Sequence, residues 1–71
     1  MAKLVIKAKG MEEVLYSKAV VRVVFMHRDS QNEYYIYLAG GDYYVLPSGL
    51  VDFNELVRWA NDETDIEIQL D

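Results

Sequence analysis

Residues 33–46 read EYYIYLAGGDYYVL and hold five of the six tyrosines of a 71-residue chain. This run decides the fold because it carries its own geometry. Tyr34 to Leu38 and Tyr43 to Leu46 are aromatic, β-branched or aliphatic, types that fit a pleated surface. Gly40-Gly41 between them supplies two positions that accept φ > 0, as a tight hairpin turn requires. Two strands, 33–39 and 42–46, joined by a two-residue turn are therefore expected. Register follows from the turn and decides which way each side chain faces. A two-residue turn opposes Ala39 to Asp42, Leu38 to Tyr43, Tyr37 to Tyr44, Ile36 to Val45 and Tyr35 to Leu46.

Upstream, DSQN (29–32) is a cluster of turn formers. Before it, AVVRVVFMHR (19–28) is β-branched and aromatic, hence a strand. Pairing Arg28 with Glu33 sets Phe25 opposite Ile36, Val23 opposite Leu38, Met26 opposite Tyr35 and Val24 opposite Tyr37. Two faces result. Val21, Val23, Phe25, Tyr34, Ile36, Leu38, Tyr43 and Val45 form a core face. Val20, Arg22, Val24, Met26, Tyr35, Tyr37, Tyr44 and Leu46 form the other, which is too apolar for bare solvent and too polar for a deep core. Tyrosine is an amphipathic body with a wet hydroxyl, a type enriched at interfaces. The second face is therefore read as a contact surface. The alternative is that the terminal strands fold over it and leave the hydroxyls at a rim.

The remaining chain completes an α+β plan. Residues 3–9 (KLVIKAK) alternate, with Leu4, Ile6 and Ala8 on one side and lysines on the other. Gly10 ends that strand. Residues 11–18 (MEEVLYSK) fit either a helical turn or a strand, and strand or irregular backbone is preferred. In LVDFNELVRWAND the period changes to 3.6, with Phe53, Leu56, Val57 and Ala60 on one stripe. Asp52 with Glu55 three residues on makes a capping-box pattern. Ile66, Ile68 and Leu70 then alternate with Glu67, Gln69 and Asp71. The expected architecture is one domain over residues 1–71. It has a four-stranded antiparallel meander, a helix at about 52–62 on one face, and a fifth, C-terminal strand. Closure into a small, partly closed barrel is the variant form.

Bulk properties narrow the function. A chain this short buries only about 60% of its unfolded surface. It has no cysteine and one histidine, so it depends on packing or self-association. MAKLVIKAKG carries a charge every few residues, unlike a signal peptide or membrane span. A soluble, cytoplasmic protein without membrane contact is expected. Residues 1–28 carry six Lys or Arg against two acids, +4, and residues 29–71 carry one against ten, −9, together the net −5. Clustered cations, the basis of duplex binding, are not the pattern.

No motif here supports catalysis, and no cofactor or metal is expected. His27-Arg28-Asp29 spells a kinase catalytic triplet, yet Asn32 follows at the wrong spacing and no phosphate-covering glycine loop exists. A lone His27 lacks partners for a metal or for base work. Asp62, Glu63, Asp65, Glu67 and Asp71 lack calcium-loop spacing. They suit a solvated strand face, with Lys3 and Lys7 opposite Glu67 and Asp71 if the first and last strands are neighbours. Trp59 lies off the helix stripe, either as an outward hot spot or packed under the last strand.

The expected function is a non-enzymatic protein-interaction module of inhibitor or adaptor type. Met26, Tyr35, Tyr37, Tyr44, Arg22 and Trp59 would supply anchors. Asp62, Glu63, Asp65 and Glu67 would steer a basic partner, such as a nucleic-acid-binding protein. A homodimer through the tyrosine face is the second expectation, and single-stranded RNA stacking on it the third. In size and acid balance the chain resembles the very small inhibitor and adaptor proteins of viruses and mobile elements.

Overall fold

The computed structural model describes residues 1–70. The strands are β1 (Lys3–Ala8), β2 (Met11–Tyr16), β3 (Val20–Arg28), β4 (Gln31–Leu38), β5 (Tyr43–Pro47) and β6 (Ile66–Gln69). One helix, α1 (Phe53–Ala60), separates β5 from β6. Short 3-10 turns at Ser17–Ala19 and Ser48–Leu50 complete the path. The strands form two three-stranded sheets, ordered β2-β1-β6 and β3-β4-β5. The α+β class, the meander, the helix and the closing strand stand as expected. The meander has three strands, because β1 pairs elsewhere: antiparallel to β2 and parallel to β6.

Residues 11–16 are strand. Met and Glu favour helix in isolation, but Lys9-Gly10 turns the chain back and sets Met11 against Ala8. Gly10 takes φ 77°, a value an L side chain rarely adopts. Tertiary pairing therefore overrides local propensity here.

The registers differ from the expected ones in an instructive way. The β3–β4 turn is Asp29-Ser30, with Asp29 at φ 52°, so Arg28 pairs with Gln31 and Phe25 with Tyr34. That is a slip of two residues, which leaves every face unchanged. The β4–β5 loop has three residues, Ala39-Gly40-Gly41, closed by Leu38 N–H to Asp42 O at 2.8 Å. Tyr37 therefore pairs with Tyr43, and Ile36 with Tyr44. That slip of one turns β5 over. Tyr44 and Leu46 face the core, and Tyr43 and Val45 face out. A third correction sits in β3, where a register shift between Val20 and Arg22 leaves Val21 as a bulge. Val21 is 67% exposed, and Val20 packs on the core instead.

The inner faces of both sheets share one core. Leu4, Ile6, Leu15, Ile66 and Ile68 come from one sheet, and Tyr34, Ile36 and Leu46 from the other. α1 contacts both β3 and β6, so it bridges the gap between the sheets on that side. On the opposite side Glu13 of β2 lies against Tyr44 of β5 and, after burial, helps hold the Tyr44 phenol above its ordinary pKa. The sheets remain two, and no barrel closes.

A bridging helix buries a wider stripe than one lying on a single sheet. Leu56 and Trp59 are its fully buried residues, with Val57 and Ala60 half-buried. Asp52 caps the N-terminus by accepting from Asn54 N–H at 3.1 Å. The C-terminus ends with Asp62 at φ 65°. Asp62 N–H donates to Trp59 O and Glu63 N–H to Arg58 O, the two bonds of a Schellman cap with aspartate in the usual glycine position.

Candidate functional site

The outer face of the meander collects the side chains that the fold leaves without a covering layer. Alternation sends Arg22, Val24, Met26 and Arg28 outward from β3, Tyr35 and Tyr37 from β4, and Tyr43 and Val45 from β5. Strand spacing brings three rings together. Tyr35 and Tyr43 lie 5.7 Å apart at 19°, Tyr37 and Tyr43 5.8 Å apart, and Tyr35 and Tyr37 6.3 Å apart. All three distances fall in the range of favourable aromatic pairing. The Arg22 guanidinium carbon sits 4.4 Å from the Tyr37 ring centroid, a cation–π contact. Tyr43 is 56% exposed, and Tyr35, Tyr37, Val24, Met26 and Val45 are half-buried among one another.

Met26, Tyr35, Tyr37 and Arg22 are thus gathered as expected. Tyr44 is not with them. It faces the core beside Glu13, because the hairpin loop has three residues rather than two. The residue missed in its place is Tyr43. Its signal is the ambiguity of Ala-Gly-Gly-Asp, which suits a three-residue loop with positive φ as well as a two-residue turn. Gly40 and Gly41 take φ 95° and 99°.

Trp59 is no surface hot spot. It is 0% exposed, because α1 lies between two sheets and the residue at i+3 from Leu56 points into both. Its indole N–H has no acceptor among the described residues.

The acids do not extend the tyrosine face either. Asp62 Oδ1 accepts from Ala2 N–H and from Ser17 Oγ–H, the latter at 2.8 Å, and lies 3.9 Å from the N-terminal amine. The Ser17 hydroxyl first, and then the Ala2 amide, hold its carboxyl below the ordinary range. Asp65 Oδ1 accepts from Lys3 N–H at 2.9 Å. Glu63 pairs with Arg58 at 3.6 Å, and Glu67 with Lys7 at 3.5 Å. The first and last strands are neighbours, but Val5 stands opposite Glu67, so Glu67 meets Lys7 rather than Lys3; the expected partner of Lys7, Asp71, lies outside the described residues. All four acids sit at the helix exit or on the other sheet, where the chain's own donors engage them.

A second aromatic group joins two core-face residues of the meander to the first residue of α1. Phe25, Tyr34 and Phe53 meet with centroids 5.6 to 6.0 Å apart at the inner margin of β3. Tyr34 is buried, and its hydroxyl donates to Val51 O at 2.9 Å. Burial, with Asp52 nearby, raises its pKa. Phe25 remains 48% exposed. His27 lies exposed near the end of β3, opposite Asn32.

No family model matches this chain, and no curated protein or solved structure shows significant similarity to it.

Proposed function

We propose that this chain is a non-enzymatic protein-interaction module, of inhibitor or adaptor type, that works by covering a surface of its partner with the outer face of the meander. The observation that carries this reading is the mutual packing of Tyr35, Tyr37 and Tyr43 with Arg22 laid on Tyr37. Tyr and Arg dominate binding hot spots. Rings already fixed by their neighbours lose little side-chain freedom on docking. The face asks for an apolar partner surface with acceptors for the tyrosyl hydroxyls and an acidic group near Arg22. This partner differs from the basic one expected from composition, because the acids of 62–67 sit away from the tyrosines.

Aromatic rings beside Arg22 and Arg28 also favour a second reading, single-stranded RNA stacked on the sheet. The stacked pair of Tyr35 and Tyr43 argues for the first, since each ring already occupies part of its neighbour's π face. Affinity capture followed by mass spectrometry tests both. A protein retained by the wild type and lost with Tyr37→Ala and Tyr43→Ala supports the module. Equal retention by those variants removes the face from the function. Retention of nuclease-sensitive material with a steep salt dependence would select the RNA reading.

A further inference from the structure

The two sheets expose four strand edges, and three are protected. β5 has five residues and ends in Pro47. β6 has four residues and carries Glu67. β2 carries Glu12 and Glu13. Shortness, proline and charge are the means by which edges resist further pairing. β3 differs chiefly in length: nine residues without proline, in which Val23 to Met26 run uncharged between Arg22 and the His27-Arg28 end, with the Val21 bulge near its start. The two-residue turn at Asp29-Ser30 makes Arg28 and Gln31 a hydrogen-bonded pair. By alternation, Val23, Phe25 and His27 direct their N–H and C=O groups away from β4.

That edge carries both a groove and a side chain to fill it. Val20, Val21, Arg22 and Val23 of β3 with Val57, Ala60 and Asn61 at the end of α1 line a cleft of mixed polarity, whose apolar part is its valine and alanine side chains. Two residues along the same inner face, Phe25 stands half out of the protein. We propose that β3 pairs antiparallel with β3 of a second copy about a twofold axis at Val24. Phe25 of each copy then lies opposite Val23 of the other and enters its cleft. On the outer side Arg22 lies opposite Met26 of the second copy, whose neighbour on β4 is Glu33. Charge selects this register. An axis at Phe25 would set Arg22 directly against Arg28, and like charges opposed across strands destabilise. The two meanders, three strands each, become one continuous sheet. Both tyrosine clusters stay uncovered on its outer side, so the dimer presents the proposed docking face twice and gains from avidity. This pairing does not depend on that docking role.

The test is solution mass by sedimentation across a wide concentration range, read together with amide hydrogen exchange. The expected result is a concentration-dependent dimer in which the Phe25 and His27 amides gain protection as dimer forms. Arg22→Glu should weaken association on the order of tenfold by facing Glu33 of the second copy, and adding Glu33→Arg should restore it. His27→Pro removes a donor that no intramolecular ladder uses, so it should give a folded monomer. A monomer at every concentration overturns the proposal. So does a dimer that Tyr37→Ala abolishes and His27→Pro leaves intact, since that dimer uses the outer face. If His27→Pro fails to fold, the charge reversal and its rescue still decide.

Discussion

The helix exit at residues 61–65 and the outer face of the meander both look unpartnered along the chain, and the fold treats them oppositely. At the helix exit every acid finds a donor in the same molecule. Asp62 ties the chain's start and the Ser17 turn to the end of α1, and Asp65 holds Lys3. On the meander face, Tyr35, Tyr37 and Tyr43 pack on one another and on their strand neighbours, with Arg22 laid on Tyr37. The difference is one of reach. A helix end brings free backbone groups and neighbouring chain segments within hydrogen-bonding distance of a short carboxylate. The outer side of a sheet faces away from the core, so its residues meet no other element unless a further layer covers them.

The sharpest way to break this comparison uses two aromatics on its two sides. Trp59→Ala should cost about 3–5 kcal/mol, enough to unfold much of so small a domain, as chemical denaturation would show. Tyr37→Ala should cost about 0.5–1.5 kcal/mol, the worth of its ring contacts. Equal losses would mean that the tyrosine face is part of the core. Gly40→Ala comes next. Nothing lies within 4 Å of the added Cβ, so its cost is conformational, about 1–2 kcal/mol from φ 95°. At an unstrained loop position the same change would raise the denaturation midpoint, because alanine restricts the unfolded chain.

Asp62 tests the other side through pH. Its folded pKa is lowered, so its contribution is present above the unfolded value of about 3.9 and is lost as pH falls through the folded value. Asp62→Asn should therefore flatten the acid limb of a stability-versus-pH curve. Asp62→Gly should relieve the positive φ yet still destabilise at neutral pH, because the bonds to Ala2 and Ser17 go with the carboxylate. A more stable glycine variant would show that those bonds contribute less than the strained backbone costs. The smallest effect belongs to Lys7 and Glu67. Both are exposed, and a double-mutant cycle should give about 0.2–1 kcal/mol, falling with salt.

Much of the meander was legible from residues 19–46 because alternation is a strong signal and the β3–β4 slip was even. Phe25, Ile36 and Tyr34 were placed inward, and Arg22, Met26, Tyr35 and Tyr37 outward, although each opposed pair in that hairpin was off by two. One extra loop residue inverted β5 and exchanged Tyr44 for Tyr43. The bulge at Val21 could not be read at all, since a bulge adds a residue without changing composition.

Taken alone, the sequence determined every strand but β2, the helix with its Asp52 cap, and the inward and outward sets of β4 and of β3 beyond the Val21 bulge. Those follow from periodicity and turn chemistry, which act over a few residues. The tertiary structure decided which strands are neighbours. It placed β1 beside β6, took it out of the meander, and set α1 between two sheets. That placement buried Trp59 and drew the acids of 62–67 to the chain's own donors. Periodicity says that a face is apolar; only packing says what covers it, because the covering residues are distant in the chain.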